Sequence, residues 1–338
     1  MLQSCAEKDP LPAQTEILDS RVVAVKHKLA VLARDSQTHT VYGAAGPRLY
    51  RIVANGDRLD QVAELPEPVT AIHFARSGWF LATDRNPKDP KTPCRIYRST
   101  DNGGSFQQIW QMQNSCALNW SIASDNKGHV YIGEYGPSDI GMSKQVWKSI
   151  DGGDSWQVAF RAPNREGLHI HRVAVDPFSN DVWVTVGDGR ENRGAYRSRD
   201  AGASWQRLLD TQATGIAFAE DAVYFGEDHK KRGRVSRYER KSGKYREIFR
   251  ASDHGNYGGS VYALGLTSDG SLIVPTMKYG GQDHIASLWI GAQDSWLPLL
   301  RLQSRHGIGT GLASLAGPDG DGWWYVKGFK IKDRLKEQ

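Results

Sequence analysis

The 338-residue chain contains no run of 18 consecutive apolar residues, so it encodes no candidate transmembrane helix. Charge of one sign is not in excess. There are 43 Lys and Arg against 38 Asp and Glu, a formal net charge of +5, which is too balanced to imply a nucleic-acid partner. The one basic cluster, Lys230-Lys231-Arg232, reads as a solvated loop. Long helical periodicity is missing, and short strand-like runs recur in its place. Cysteine is scarce, with three residues in all. Cys94 and Cys116 fall at loop ends of adjacent strand units; they either pair in an oxidising compartment or remain free thiols. No sequence-local metal-ligand motif is present.

What is abundant is glycine (36), tyrosine (13) and tryptophan (11), a mixture that suits many short hairpins with glycine turns and aromatic strands. One stretch occurs three times: Ser-Thr-Asp-Asn-Gly-Gly-Ser-Phe at 99–106, Ser-Ile-Asp-Gly-Gly-Asp-Ser-Trp at 149–156, and Ser-Arg-Asp-Ala-Gly-Ala-Ser-Trp at 198–205. Asp101, Asp151 and Asp200 are therefore spaced by about 50 residues, a period of propellers, solenoids and arrays. Each copy reads as a hairpin tip. The Asp can bond its own turn backbone, Gly103, Gly153 and Gly202 supply a positive φ, and an aromatic residue packs beneath.

Reading outward from these turns gives a unit of four strands, A to D, with the repeated turn joining C to D. The A strands are Leu29–Arg34, Thr70–Ala75, Leu118–Ser124, Ile170–Asp176, Gly215–Ala219, Val261–Thr267 and Gly309–Leu315. The expected fold is an all-β propeller of seven blades, with six as the alternative. The seventh blade, containing Trp323–Lys327 and Phe329–Lys332, lacks a D strand. An N-terminal strand within Glu16–Lys26 would complete it, closing the ring and removing exposed sheet edges. Residues 16–338 then form a single domain, preceded by a tether over 1–15.

In such a unit the B–C and D–A connections share one face, and the A–B and C–D turns share the other. The second face is bland, with turns such as Asn126-Lys127-Gly128 and Ser268-Asp269-Gly270. The first is rich in chemistry, and reactive groups on loops of a rigid scaffold are the expected arrangement. Candidate catalytic residues there are Glu134, Tyr135, His169, His171, Asp188, Glu227 and Tyr257; candidate substrate-binding residues are Trp120, Arg190, His229, His254, Lys278 and Tyr279. His169 and His171 alternate at strand spacing, so both imidazoles face one side. They could act as acid and base, or ligate a divalent metal with Glu134 or another nearby acid as third ligand. Carboxylates brought close raise one another's pKa and can form an acid–base pair. Arg190 could grip a sugar carboxylate bidentately. No cofactor is required by these groups.

The three turns resemble the Asp-box (BNR) repeat, Ser-x-Asp-x-Gly-x-Thr-Trp, with Ser105, Ser155 and Ser204 in place of Thr and Phe106 in place of one Trp. The resemblance is to the sialidase-like and BNR-repeat propellers, which include sialidases, other glycoside hydrolases and polysaccharide lyases. It implies that the turns themselves lie away from the reactive site. Arg51-Ile52 and Arg95-Ile96 lack the following proline of the sialidase motif, and no arginine triad is recognisable. The His-rich face looks more like the ulvan-lyase type of propeller. The resemblance thus implies a carbohydrate-active protein acting on an anionic, uronic-acid-type polysaccharide. Two reactions follow: β-elimination by His and Tyr, or glycoside hydrolysis by carboxylates. The alternative is a propeller that binds a glycan or a protein without turnover. A monomer is expected. Met1-Leu2-Gln3-Ser4-Cys5 is similar to the end of a bacterial lipobox, which implies a periplasmic or cell-surface location, with a lipid on Cys5 as the only membrane contact.

Overall fold

The computed structural model describes residues 15–19, 22–25, 27–84, 94–112, 116–135, 144–162, 169–188, 193–228, 233–254, 259–279, 285–292, 295–304, 308–329 and 331–334. It is an all-β propeller of six blades among these residues. The first five are four-stranded antiparallel sheets with simple up-and-down order, beginning at Val31–Arg34, Val69–Ala75, Ile122–Ser124, His169–Val175 and Ala213–Phe218. The sixth has five strands: Gly265–Leu266, Leu272–Pro275, Ile285–Ala292, Ser295–Ser304 and Ile331–Arg334.

Strand burial follows position in the blade. The second strand of a blade is sandwiched by its neighbours on both faces, and every residue of Val130–Gly133 and Val182–Gly187 is buried. The outermost strand Gln107–Met112 is exposed at its start and buried at its end. The apolar clusters lie between blades. Tyr131 and Val146 of the third blade pack on Ile170, Val182 and Val184 of the fourth, and Trp183 of the fourth packs with Phe225 of the fifth. The first strands of successive blades touch one another around a central cavity of about 310 Å³, lined among others by Leu32, Ile72, Ile122, Val173, Ile216 and Leu264.

The expected count of seven is corrected to six. Phe329–Lys332, expected as one strand, is two. Tyr325–Phe329 pairs with Ile308–Ala316, while Ile331–Arg334 pairs with Ser295–Ser304 of the sixth blade. Ile308–Ala316 also pairs with Met277–Tyr279, making a separate three-stranded sheet. The N-terminal segment forms its own hairpin, Thr15–Asp19 with Val22–Val25, and does not join another sheet among the described residues. The physical reason is common to both differences. A local β pattern specifies a strand but not its partner, which is decided by packing.

The three repeated turns share one hydrogen-bond scheme. In the second, Ser149 Oγ donates to Asp151 Oδ1 at 2.7 Å, and the Ser155 N–H donates to the same oxygen at 2.9 Å. Gly153, at φ +104, donates its N–H to Ser149 Oγ at 2.7 Å. A Cβ at Gly153 would meet Ile109 at 2.6 Å, so glycine is required there for both reasons. These bonds hold the Asp101 and Asp200 carboxyls down to about 2, with the hydroxyls of Ser105 and Ser204 the largest causes, and hold Asp151 lower still.

Strand pairing fixes the faces. His169 lies opposite Gly187, and Ala213 opposite Glu227, so residues before an A strand and after a B strand share one edge. The pairing of Trp79 with Ser99 puts the Asp101 turn at the other edge.

Candidate functional site

The strand His169–Val175 pairs with Val182–Gly187 in the register His169 to Gly187 and Ile170 to Val186, then shifts so that Arg172 faces Thr185. His171 is the extra residue of a β-bulge, a feature that re-aims a side chain. Its imidazole is buried, with the residue 2% exposed, and packs closely against Gly187. A Cβ at Gly187 would come within 2.1 Å of His171 Cε1.

Asp188 follows directly, at φ +72. Its Oδ2 faces both imidazoles, 3.4 Å from His171 Nε2 and 3.7 Å from His169 Nε2. Its Oδ1 accepts a hydrogen bond from Gln212 Nε2 at 2.8 Å. Burial pulls the Asp188 carboxyl up, but the hydrogen bond and charge of His171, the charge of His169 and the Gln212 bond outweigh it, and the net shift is downward. Asp188 is therefore an anion at neutral pH.

Asp228 holds the same place in the fifth blade, after the strand Ala222–Glu227. Its N–H donates to the Gln212 carbonyl at 2.8 Å, so Gln212 ties the two aspartates together. Asp228 Oδ1 accepts from Ser260 Oγ at 2.6 Å and from the Tyr262 hydroxyl at 3.3 Å. His171, Asp188 and Asp228 each bring one ligand atom to within 4.8 Å of the others.

Tyr135 stands beside this cluster. Its ring is 5.1 Å from that of His169 and the residue is 37% exposed. Its backbone exchanges two 2.8 Å hydrogen bonds with Cys116. Cys116 is disulfide-bonded to Cys94, so the second and third blades are stapled where Tyr135 is presented. Trp120 lines the central cavity, its ring 6.1 Å from that of Tyr262. The Trp120–Tyr262 contact links the cavity to Asp228.

The structure thus gathers His169, His171, Asp188 and Tyr135. It places other candidates elsewhere. Glu134 accepts from Gln145 N–H and Trp147 Nε1, each at 2.9 Å, which commits both of its oxygens within its own blade. Glu227 is buried, pairs with Arg234, and accepts from Ser236 Oγ at 3.2 Å and the Tyr245 hydroxyl at 3.3 Å. Burial first, and the Glu227 charge second, push the Tyr245 phenol up to about 12. His254 stacks on Phe249 at 5.6 Å and lies 5.1 Å from the ring of Trp289. Lys278 and Tyr279 lie on the strand Met277–Tyr279, their backbones paired with Thr310 and Ile308. Arg190, His229 and Tyr257 lie outside the described residues.

Sequence reasoning missed Asp228 and Arg172. The signal for Asp228 was its place directly after the strand, one residue beyond Glu227, and one residue decides which face a strand side chain takes. Arg172 lines the central cavity with Asn119, Trp120 and His73, and no Asp or Glu lines that cavity among the described residues. Among the described residues its hydrogen bond runs from Nη1 to the Thr214 carbonyl at 3.4 Å. Burial pulls its guanidinium down to about 10 and pulls the His73 imidazole, bonded to Ser124 Oγ at 2.9 Å, down to about 4.

Comparison with known proteins places this geometry in context. A xyloglucanase from Paenibacillus sp is 24% identical over 156 residues, which cover 39% of this chain. The chain spans only 15% of that relative's length. Among solved structures, the extracellular domain of a hybrid two-component system from B. thetaiotaomicron superposes over 90% of this chain and 37% of its own, at TM-score 0.60 and 12% identity. An ancestral GH74 enzyme covers 87% of this chain and 40% of its own, at TM-score 0.58 and 17% identity. A nidogen/laminin complex covers 78% of this chain and 92% of its own, at TM-score 0.51 and 12% identity. Identities this low show a shared fold alone. The family model of Sortilin-Vps10 (sortilin, neurotensin receptor 3) matches residues 94–262, half of the chain and the half that carries His169, His171, Asp188 and Asp228, so the chain belongs to the Sortilin-Vps10 family.

Proposed function

We propose that the chain is a carbohydrate-active propeller that engages a polysaccharide at the face bearing His169, His171, Asp188 and Asp228. The observation that supports this best is the convergence of blade-equivalent aspartates and both strand histidines beside the half-exposed ring of Tyr135. Carboxylates accept bonds from sugar hydroxyls, and an aromatic face packs on the apolar side of a sugar ring. The xyloglucanase relative and the GH74 neighbour support a polysaccharide ligand. The Cys94–Cys116 disulfide fits the oxidising periplasm or cell surface where such a polymer is met.

Of the two reactions, hydrolysis draws support from the xyloglucanase relative. Asp188, held ionised, is the group suited to activate water or to stabilise positive charge developing at the sugar ring. β-Elimination of a uronate would use His169 as base and Tyr135 as acid. A binding module without turnover is the second reading. It is favoured by Asp188 accepting a hydrogen bond from Gln212 and facing both imidazoles, an arrangement that stabilises its ionised form and leaves it unprimed as a general acid.

The test is incubation of the purified chain with neutral and uronate polysaccharides, reading retention, new reducing ends, and the ultraviolet absorbance of unsaturated uronate. Retention with reducing ends and no absorbance supports the hydrolase. Retention alone supports the binding module. Absorbance supports the lyase. No retention on any polymer, or retention and turnover intact in both His169→Ala and Asp188→Asn, contradicts the assignment of this face.

A further inference from the structure

We infer that His171, Asp188 and Asp228 form a binding site for a divalent transition-metal cation of the zinc class, held by His171 Nε2 and one oxygen of each carboxylate. The inference rests on donor geometry and does not depend on the polysaccharide reading.

Several observations carry it. The first is spacing. Zinc–nitrogen and zinc–oxygen bonds of about 2.0–2.1 Å in a tetrahedron place neighbouring donors about 3.3 Å apart. His171 Nε2 and Asp188 Oδ2 are 3.4 Å apart, and Asp228 brings its oxygen within 4.8 Å of both. The third donor therefore needs only a small side-chain shift to close the set.

The second observation is how the carboxylates are held. Each uses Oδ1 for a fixed neighbour, Gln212 on Asp188, and Ser260 with Tyr262 on Asp228. Oδ2 of Asp188 is turned to the imidazoles, and Oδ2 of Asp228 has no hydrogen-bond partner among the described residues. Carboxylates anchored through one oxygen while the other is presented are the usual outer-shell arrangement of a metal site.

The third observation is His171 itself. His171 is buried, its Nε2 points into the cluster, and its Nδ1 has no hydrogen-bond partner among the described residues. The bulge and the bare Gly187 backbone hold the ring in that direction.

Two carboxylate oxygens and one imidazole nitrogen match the borderline preference of zinc and its neighbours, whereas calcium and magnesium favour all-oxygen sets. Three protein ligands leave a coordination position open, as in reactive rather than structural zinc sites. Asp188 is the exposed member, with a side chain 37% accessible, so the open position faces solvent, where water or a sugar hydroxyl can enter.

The test is calorimetric titration of the chelator-treated full chain with Zn²⁺ alone, with no sugar present. One saturable equivalent is expected. Asp188→Asn and Asp228→Asn should each weaken binding by at least about ten-fold, and Asp210→Asn, at a surface ion pair, should not. Asp228→Asn keeps its hydrogen-bonding shape, so circular dichroism should show a folded variant. Absence of saturable binding to the wild-type chain overturns the inference, as does equal affinity in both ligand variants. Polysaccharide retention, measured separately in metal-free buffer, decides the glycan reading on its own terms.

Discussion

Replacing Gly187 with alanine probes the local architecture at its tightest point. The added Cβ would lie 2.1 Å from His171 Cε1, 2.4 Å from Nδ1 and 2.8 Å from Nε2. Carbon atoms in contact settle at about 3.5 Å or more, so the ring must retreat by more than about 1 Å. It has little room, because His171 is 2% exposed. Overpacking of this kind costs about 1–3 kcal/mol. Gly187 does not have a positive φ, and alanine in an ordinary strand gains roughly 0.5–1 kcal/mol over glycine. The expected net loss is therefore about 1–2 kcal/mol, a fall of roughly 1–3 °C in Tm for a chain of this size. Retreat of the ring also breaks its 3.4 Å approach to Asp188, so Zn²⁺ and polysaccharide binding should fall together. The assay is a double-mutant cycle with His171→Ala, which removes the ring that the Cβ strikes. In that background Gly187→Ala should be neutral or stabilising. An equal loss in both backgrounds, or no loss in either, refutes the reasoning.

Three other perturbations have definite expected outcomes. Arg172→Met should raise thermal stability. The downward shift to about 10 by burial corresponds to at most about 3 kcal/mol of desolvation, less what remains hydrated where the side chain meets the cavity. A lower Tm would mean that a counter-charge reaches Arg172. Asp101 and Asp200 have folded-state values near 2 against an ordinary 3.8, and Asp151 lies lower. Their contribution is complete above about pH 4 and is lost as pH falls through 2. The triple Asp→Asn variant should therefore unfold more easily in urea at pH 7 and show a flatter loss of stability between pH 4 and 2, whereas an unchanged acid profile would contradict the turn scheme. Cys94→Ser with Cys116→Ser opens a loop of sequence separation 22, which should cost about 3 kcal/mol by loop entropy. It should also speed hydrogen exchange at the Tyr135 amide, which bonds the Cys116 carbonyl at 2.8 Å; protection equal to wild type would show that the staple does not hold Tyr135.

Much of the fold could be read from the turns. The Asp101, Asp151 and Asp200 repeats set the blade phase, and the phase assigned His169, His171, Asp188 and Tyr135 to one edge, where strand pairing puts them. The seventh blade could not be read correctly, because Ile331–Arg334 finds its partner by packing at Ser295–Ser304 and the local pattern carries no such information. Glu134 and Glu227 were natural candidates by residue type. Only coordinates show their oxygens taken by Trp147 and Gln145 in one case, and by Arg234, Ser236 and Tyr245 in the other. Asp228 was hidden by one residue of register. The bulge at His171 was hidden because simple alternation already put both imidazoles on one side. Arg172 was hidden because a charged residue inside an A strand normally signals the outer surface, whereas here it lines the central cavity.

The most direct measurement is the position of a bound oligosaccharide in a crystal of the chain soaked with a fragment of whichever polysaccharide it retains. The account predicts sugar oxygens within about 3 Å of Asp188 or Asp228, with a ring against Tyr135. A sugar seated instead at the Asp101, Asp151 or Asp200 turns, on the opposite face, would contradict it.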